Sequence, residues 1–430
     1  MTNQTPHIFF SVGEPSGDQH TARLIRALGA TGPAWRMRGF GGPEMRAAGC
    51  RLDYELTQMA VMGLVEVVPK LRQFFRIADI ATRVFAERSR PDAVVLADFP
   101  GFNWHIAKRA KRQGIPVFYY LPPQLWAWGA WRISKVRKYV DHVLSVLPFE
   151  HQWYLDQGIQ STYVGHPFFD AIADKPLDQQ LLRRLCQPEQ SKQPLPVAAV
   201  SPLSAELALP PTRTAENKLV AVLPGSRWHE VQRNWPTMLE SIRQLSHQFP
   251  TARFAVAAFR DAHCLWCRDQ METSDFDLPI DFYVGKTSEI IAASHAAMMV
   301  SGSVSLELMA RGTPAAVIYQ TGRVMYAAGR AMVRVPSITL PNLIAGQTVF
   351  PELATAGNSA RGVQFLVSSL ARMLGDADYY QQLTEQLSEL RIRYAAPGAT
   401  AKAAGVISQS LGILSPAARP MAESKNRVAA

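Results

Sequence analysis

Short apolar runs alternate along the chain with longer stretches that have helical spacing. The runs lie at 7–12, 93–97, 116–121, 142–147, 219–223, 254–258, 296–300 and 314–319. Each has the length of a buried parallel strand, and the stretches between them are long enough for helices. The alternation therefore predicts an α/β protein with doubly wound sheets, whose ligands bind at the carboxyl ends of the strands.

A proline-rich segment interrupts this alternation. Residues 174–217 hold seven prolines and show little apolar periodicity, which is typical of a linker or a surface excursion. We expect this segment to separate an N-terminal domain (1–173) from a C-terminal domain (218–375). C-terminal helices are predicted within 376–415, with packing back on the N-terminal domain as one arrangement, and the tail 416–430 is predicted to be disordered.

Length and composition are ordinary for a soluble protein of two domains. The 430 residues are 47% hydrophobic and 19% charged, with a net charge of +10. That charge suits nucleic acid, phosphate-bearing substrates or an acidic membrane leaflet, and equally a basic surface without a partner. The first apolar run is too short for a signal peptide, and no stretch reaches the roughly 18 apolar residues that span a bilayer. We therefore expect a cytoplasmic protein whose membrane contact is peripheral.

Few residues point to a cofactor. Cys264 and Cys267 form a C-x-x-C pair, but no second pair completes a zinc site, and Cys50 and Cys186 are isolated. The chain has no Walker loop and no dinucleotide fingerprint with all three glycines, which disfavours a kinase or a dehydrogenase. We expect neither a metal ion nor an organic cofactor.

The two segments that follow the strands at 7–12 and 93–97 supply the candidate catalytic residues. The first contains Glu14, Ser16, Gly17 and Asp18, where glycine permits close backbone approach and free amides can face a ligand. The second begins at Asp98, a carboxylate at the edge of the sheet where crevices lie. We predict Asp98 as a general base, which commonly contributes about 10² to 10⁴ in rate, with Asp18 and Glu14 in reserve. The alternatives are a structural turn and a helix cap.

The second half of the chain has two comparable loops. The strand at 219–223 leads into Ser226 and Arg227, whose guanidinium can hold a diphosphate leaving group without a metal ion. The strand at 296–300 leads into Ser301, Gly302 and Ser303, a phosphate-friendly turn that opens a helix. That helix carries Glu307, a candidate ligand for ribose hydroxyls or else an ordinary first-turn acidic residue.

Ten segments in order resemble one known family, the lipid-A-disaccharide synthases. They lie at 13–18, 41–49, 59–67, 98–103, 124–128, 147–150, 165–167, 223–227, 301–307 and 340–343. The resemblance covers most of the chain and implies the glycosyltransferase-B fold, in which two Rossmann-like domains enclose the active site in a cleft. It also implies substrate contacts for Asn103, Gln124, Trp126 and Asn342.

The resemblance implies a specific reaction. UDP-2,3-diacylglucosamine donates its sugar to the 6-hydroxyl of 2,3-diacylglucosamine 1-phosphate, with inversion, to give the β-1,6-linked lipid A disaccharide 1-phosphate and UDP. The implied location is the cytoplasmic face of the inner membrane, and a homodimer is one possible assembly. The chain departs from the family pattern at Pro122, at Ala354 and in 174–217, which affects acceptor contacts and leaves Asp98 and Arg227 unaffected.

Two other functions are weighed. A UDP-sugar epimerase shares this fold but needs no apolar acceptor surface, and the apolar segment from Met59 to Val68 speaks against it. The longer segment from Met59 to Ile77 also carries Lys70, Arg72 and Arg76, so we expect part of it to lie at a membrane interface, with buried core as the alternative. Nucleic-acid binding would draw on the basic and aromatic residues of 126–138, but these lie beside a family motif, so we expect no nucleic-acid partner.

Overall fold

The computed structural model describes residues 5–32, 34–60, 71–186, 218–333, 335–357 and 359–413. Within them the chain forms two compact units, each built on one parallel sheet. The first unit comprises the described residues of 1–125, 129–167 and 398–430, and the second comprises those of 126–128 and 168–397. The predicted fold class, two Rossmann-like α/β domains, is confirmed.

The sheets contain thirteen strands among the described residues. They are β1 His7–Val12, β2 Arg36–Gly41, β3 Arg51–Glu55, β4 Ala93–Ala97, β5 Val117–Tyr120, β6 His142–Ser145, β7 Ser161–Tyr163, β8 Leu219–Leu223, β9 Arg253–Ala258, β10 Ile280–Val284, β11 Ala296–Val300, β12 Ala315–Thr321 and β13 Glu352–Ala356. The central strands are buried on both faces because helices cover each sheet on both sides.

Eighteen α-helices occur in the described part of the chain. They are α1 Pro15–Gly29, α2 Pro43–Ala47, α3 Thr57–Ala60, α4 Leu71–Phe85, α5 Pro100–Arg112, α6 Ile133–Tyr139, α7 Pro148–Asp156, α8 Pro167–Asp174, α9 Gln179–Cys186, α10 Trp228–Gln248, α11 Asp261–Asp269, α12 Thr287–Ala293, α13 Val304–Arg311, α14 Arg323–Met332, α15 Leu340–Ala345, α16 Ser359–Gly375, α17 Ala377–Tyr394 and α18 Ala399–Ser410. Most of them connect successive parallel strands, as the alternating pattern predicts.

Both sheets are wound in the same order. The first runs β3-β2-β1-β4-β5-β6-β7 and the second β10-β9-β8-β11-β12-β13. The direction of winding therefore reverses between β1 and β4 in one sheet and between β8 and β11 in the other. Ligands of doubly wound sheets bind outside the carboxyl ends of the strands at such a switch point. The loops after these four strands are thus the places where ligand-binding residues are expected.

All eight predicted strands are present. The described residues contain five further strands that the hydrophobic pattern does not predict. Four of these, β3, β7, β10 and β13, lie at sheet edges, where partial exposure weakens the apolar signal. The fifth, β2, is interior but carries Arg38, which is buried and contacts Asp53 at 2.7 Å and Glu87 at 3.2 Å. Because a buried, paired charge interrupts its apolar residues, β2 cannot be predicted from hydrophobicity alone.

The proline-rich segment begins with ordered structure, which corrects the expectation of a linker from residue 174 onward. Helix α9 buries Leu182 and Leu185 in the core of the second unit, because these leucines share one helical face. Residues 187–217 lie outside the described residues, as does the tail 416–430. At the other end, α17 belongs to the second unit, whereas α18 belongs to the first and packs on α1.

The segment predicted to contact a membrane is described only in part, since residues 61–70 lie outside the described ranges. Met59 and Ile77 are buried, so the ends of the segment are core, as the alternative reading held. Phe75 on α4 is 50% exposed, and the neighbouring Arg72 and Arg76 are exposed. The helix thus has one face in the core and one apolar and basic face in solvent.

Candidate active site

The turn before α1 and the residue after β4 meet at the switch point of the first sheet. Val12 and Ala97 are paired in register, so Gly13 and Asp98 leave the sheet side by side. The amides of Gly13 and Glu14 donate to Asp98 Oδ1 at 3.1 and 3.2 Å. Only glycine fits at position 17, because a Cβ there would lie 1.6 Å from Asp98 Oδ2. The structure therefore joins two segments that are far apart in sequence, since Gly13 and Asp98 are separated by 85 residues.

The backbone around Asp98 is strained. Asp98, Phe99 and Leu121 have φ values of 46°, 36° and 53°, and no other non-glycine residue in the described ranges has a positive φ. Each such residue costs on the order of 1 to 3 kcal/mol and persists only when its surroundings fix it. Here the Tyr119 hydroxyl and the Asn103 amide donate to the Asp98 carbonyl at 2.7 and 2.9 Å. Strain of this kind concentrates at functional sites.

The carboxyl group of Asp98 is poorly solvated. Burial is the largest cause of a pKa well above the usual value, and the nearby charges of Glu14 and Asp18 raise that pKa further. The two amides on Oδ1 oppose the shift, since they stabilise the charged form. Atom Oδ2 is buried and has no hydrogen-bond partner among the described residues. Asp98 therefore combines raised basicity with one vacant acceptor oxygen.

Asp18, in the first turn of α1, is engaged within the fold. It is 2% exposed, and its two oxygens accept from the amides of Gly42, Glu44 and Met45 at 2.8, 3.0 and 3.2 Å. These amides belong to the first turn of α2, where free N–H groups need acceptors. Asp18 is therefore a helix cap that fixes α2 against α1, and its oxygens are engaged within the fold.

Asn103 is likewise engaged within the fold. It is fully buried; its Oδ1 accepts from Ser11 Oγ at 2.6 Å, and its Nδ2 donates to the carbonyls of Ser11, Ala97 and Asp98 at 2.9 to 3.1 Å. The side chain thus ties the end of β1 to the end of β4. This geometry gives Asn103 a positioning role for Asp98.

The other predicted residues of the first half face outward. Glu14 and Ser16, in the turn that opens α1, are exposed. Gln124 is also exposed, in the segment after β5, and Trp126 is half-buried. Strand β5 neighbours β4 in the sheet, so Gln124 follows the strand next to the one that presents Asp98. Glu14, Ser16 and Gln124 are thus exposed on loops that follow strands of the first sheet.

At the switch point of the second sheet, Arg227 precedes α10 and Glu230 organises the loop. Glu230 Oε2 accepts from the amides of Ser226 and Arg227, both at 3.2 Å, and its Oε1 lies 2.8 Å from Arg227 Nη1. The Arg227 side chain is 73% exposed, whereas Glu230 is 12% exposed. Sequence reasoning missed Glu230, although a glutamate three residues after a helix start is a known capping signal.

The second loop of this sheet follows β11. Ser301 is half-buried and its hydroxyl donates to the Ile338 carbonyl at 3.0 Å, whereas Gly302 and Ser303 are exposed at the start of α13. Glu307 is 6% exposed and accepts from Arg311 Nε at 3.0 Å, one helical turn away. Ser226, Arg227 and residues 301–303 thus lie on loops that follow adjacent strands, β8 and β11.

Asn342 is a scaffold residue. Its Nδ2 donates to the Phe350 carbonyl and to Glu352 Oε2, and its Oδ1 accepts from the amides of Val349 and Phe350, all at 2.8 to 2.9 Å. Glu352 in turn accepts from the amides of Ile338 and Thr339. Both polar atoms of Asn342 are therefore used within the fold, where they hold the segment 349–352 that follows α15.

Within the described ranges, no group of three or more His, Cys, Asp or Glu side chains has the spacing to hold a metal ion. In the same ranges no helix is long and apolar enough to cross a membrane. The four cysteines are free thiols, and burial raises the pKa of Cys267 to about 12.

Solved structures share the fold of the whole chain. A UDP-GlcNAc 2-epimerase from Neisseria meningitidis bound to UDP-GlcNAc superimposes with a TM-score of 0.59 at 14% identity, covering 94% of this chain and 99% of the epimerase. Arabidopsis thaliana UGT89C1, complexed with UDP-L-rhamnose, gives a TM-score of 0.58 at 12% identity and covers 96% and 100%. At these identities the likeness establishes the two-domain glycosyltransferase-B fold alone.

Sequence similarity identifies the family. The lipid-A-disaccharide synthetase family matches residues 8–204 and 205–398. The lipid-A-disaccharide synthase of Syntrophus aciditrophicus is 33% identical over 397 residues, which is 92% of this chain and 96% of that protein. The family match extends over the two loops at each switch point. The chain therefore belongs to the lipid-A-disaccharide synthase family.

Proposed function

We propose that the chain transfers 2,3-diacylglucosamine from UDP to the 6-hydroxyl of 2,3-diacylglucosamine 1-phosphate, with inversion of the anomeric centre and release of UDP. Family membership makes it a hexosyltransferase of lipid A biosynthesis. The single observation that supports the chemistry best is the environment of Asp98: a buried carboxylate with a raised pKa and a vacant oxygen, on strained backbone at a switch point.

Asp98 is the general base of this proposal. The 6-hydroxyl of the acceptor gives its proton to Asp98 Oδ2 as its oxygen attacks the anomeric carbon and the bond to UDP breaks. Oδ1 is held by two amides, so it orients the carboxylate while Oδ2 reacts. Because Oδ2 is buried beside Gly17, the acceptor reaches it after a local movement of the turn 13–16.

Arg227 and the loop after β11 hold the leaving group. The exposed guanidinium of Arg227 neutralises the charge that develops on the diphosphate, and the start of α13 offers free amides at Gly302 and Ser303. Glu307 accepts the ribose hydroxyls, with Arg311 orienting its carboxylate. Since this arrangement assigns charge neutralisation to an arginine, we expect transfer to continue in excess EDTA.

Glu14 is the reserve base, whereas Asp18 positions the turn. Glu14 is exposed on the same turn that donates to Asp98, so it can reach an acceptor without rearrangement. Asp18 already accepts three amides, which occupy its oxygens.

Release of UDP distinguishes this function from that of an epimerase with the same fold. We would incubate the protein with UDP-2,3-diacylglucosamine, with and without the acylated acceptor, and measure both UDP and the disaccharide. Transfer requires that UDP and disaccharide appear in equal amounts and only with acceptor. Isomerised donor without acceptor would favour the epimerase and overturn the proposal.

The first unit docks on the cytoplasmic face of the inner membrane in this proposal. Helix α5 packs against both α4 and α6. We define a basic-aromatic face as the exposed residues Arg72, Phe75 and Arg76 on α4, Trp131 in the 3₁₀ turn 130–132 before α6, and Lys135 on α6. Trp131 is 69% exposed, and the Phe75 ring lies 5.5 Å from that of His105 on α5. Burial, followed by the charges of Arg109 and Lys135, lowers the pKa of His105. An apolar and basic surface of this kind binds anionic lipid.

A further inference from the structure

A cavity of about 480 Å³ opens in the second unit beside both loops assigned to the donor. That volume lies within the range of about 300 to 1,000 Å³ typical of small-molecule sites. Its lining includes Glu230 and Asn234 of α10, Val300 at the end of β11, Tyr319 on β12, and Val324 and Ala328 of α14. Glu230 also contacts Arg227, and Val300 directly precedes Ser301, so a donor bound by these loops has the cavity next to it.

One wall of the cavity has an unpaired acceptor. Asn234 is 1% exposed, and its Nδ2 donates to the Glu230 carbonyl at 2.8 Å. Its Oδ1 is buried and has no hydrogen-bond partner among the described residues. A buried acceptor without a partner destabilises a protein, so native structures retain one where a ligand or a water molecule completes it. The missing partner is an N–H or O–H donor.

The lining also contains an apolar patch, formed by Val300, Tyr319, Val324 and Ala328, beside the polar residues His229, Arg233, Gln320 and Thr321. In this patch Val324 is 86% exposed and Tyr319 is 40% exposed. Helix α14 contains no acidic residue, so nothing on it repels an anionic substrate. Large apolar side chains that stay exposed beside a site commonly mark a surface that a ligand covers. The cavity thus fits a group with one polar donor followed by hydrocarbon.

We propose that this cavity holds the amide-linked acyl chain of the donor sugar, with the amide N–H donating to Asn234 Oδ1 and the first methylenes packing on Val300, Tyr319, Val324 and Ala328. This inference rests on the proposed function and deepens it, because it assigns recognition of the acyl chain to residues other than Arg227 and the loop after β11, which bind the diphosphate. UDP alone lacks the acyl chain and does not use the cavity.

The test compares two neighbouring alanines on α14. Ala328 lines the cavity, whereas Ala327 is exposed on the same helix and does not, so Ala328→Trp and Ala327→Trp form a matched pair. Equilibrium binding is measured for UDP and for UDP-2,3-diacylglucosamine in one detergent. We expect Ala328→Trp to weaken the acylated donor about tenfold or more, which corresponds to losing contact with about two methylenes. UDP affinity should stay within about twofold in both variants.

Equal affinities of both variants for the acylated donor would overturn the inference, and so would an equal loss of UDP affinity in Ala328→Trp, which would give the cavity to the nucleotide. Asn234→Leu tests the polar contact separately, since it removes the unpaired oxygen at similar size. We expect weaker binding of the acylated donor, unchanged UDP affinity and an unreduced melting temperature. Failure of the proposed transfer reaction would appear instead as missing disaccharide in the wild type, whatever these affinities are.

Discussion

The carboxyl edges of the two sheets differ in how far their functional charged side chains are exposed to solvent. At the first edge Asp18 and the carboxyl group of Asp98 are buried, held by backbone amides and flanked by strained backbone. At the second edge the functional charge, Arg227, is 73% exposed and is oriented through one contact with Glu230. The same strand order therefore supports a desolvated acid in one unit and an accessible cation in the other.

The difference corresponds to what the two halves of a glycosyl transfer require. A general base works best when its pKa is moved toward the working pH, and burial moves the pKa of a carboxyl upward. A cation that receives a departing diphosphate needs access to a large, hydrated anion, so burying it would be costly. Single substitutions at either edge test this difference. Changes at the first edge should lower kcat, and changes at the second should weaken UDP binding.

The largest effect is expected from Asp98→Asn. This change keeps acceptors for the amides of Gly13 and Glu14 but removes the base, so kcat should fall by about 10² or more while UDP affinity stays unchanged. Steady-state kinetics and UDP titration measure the two quantities. Glu14→Gln is the matched control on the same turn, with a small expected loss. If Glu14→Gln were the slower enzyme, the role of base would move to Glu14.

The pH dependence should show the same asymmetry. The base must be deprotonated, so kcat/KM falls about tenfold per pH unit as pH drops below the raised pKa of Asp98. That acid limb should disappear in Asp98→Asn. The pKa of Asp98 is higher in the folded protein than in the unfolded chain, so ionisation of Asp98 destabilises the fold once the pH exceeds the unfolded-state pKa. Asp98→Asn removes this cost and should therefore stabilise the protein more at pH 8 than at pH 4. An acid limb centred near pH 4 in the wild type would contradict the buried base.

At the second edge, Arg227→Ala should weaken UDP itself. Hydrogen bonds to charged groups contribute about 1.5 to 3 kcal/mol, so a Kd increase of roughly thirtyfold is expected. Arg260→Ala is the control, since Arg260 is exposed and precedes α11 after the neighbouring strand β9. Calorimetric titration with UDP compares them. Equal Kd values for Arg227→Ala and the wild type would remove Arg227 from the donor site.

Glu230→Gln tests whether Arg227 must be oriented by its ion pair with Glu230. Glutamine can keep part of the amide contacts but loses the charge that orients Arg227, so kcat/KM should drop about fivefold to tenfold. The melting temperature should change little, because the ion pair with an exposed partner contributes little to stability. Unchanged kcat/KM would mean that contact with the substrate, and not with Glu230, orients the Arg227 side chain.

The sequence predicts the sheets and the loops better than the roles of individual polar residues. Buried strands and the positions of Asp98 and Arg227 follow from hydrophobic runs and their ends. Asp18, Asn103 and Asn342 occur in motifs that suggest ligand contacts, yet each has its polar atoms hydrogen-bonded within the fold. Asp18 accepts from Gly42, 24 residues away, Asn103 donates to Ser11, 92 residues away, and Asn342 donates to Phe350, eight residues away. Such pairing depends on tertiary contacts, as does the burial of Arg38 that hides β2.

The smallest effect is expected at the basic-aromatic face, where the two units can be compared once more. Phe75 in the first unit and Leu265 in the second are both exposed apolar residues on helices, at 50% and 66%. Within four residues on either side, Phe75 has Arg72, Arg76 and Asp79, a net charge of +1, whereas Leu265 has Asp261, Arg268 and Asp269, a net charge of −1. The interface should therefore select the first unit. Phe75→Ser should reduce partitioning onto anionic liposomes about twofold to fivefold, and Leu265→Ser should not. Co-sedimentation measures the partitioning, and a thermal melt checks folding, because Ile77 on the same helix is core and a damaged core would lower the melting temperature. Equal partitioning of both variants would show that the first unit docks through residues other than Phe75.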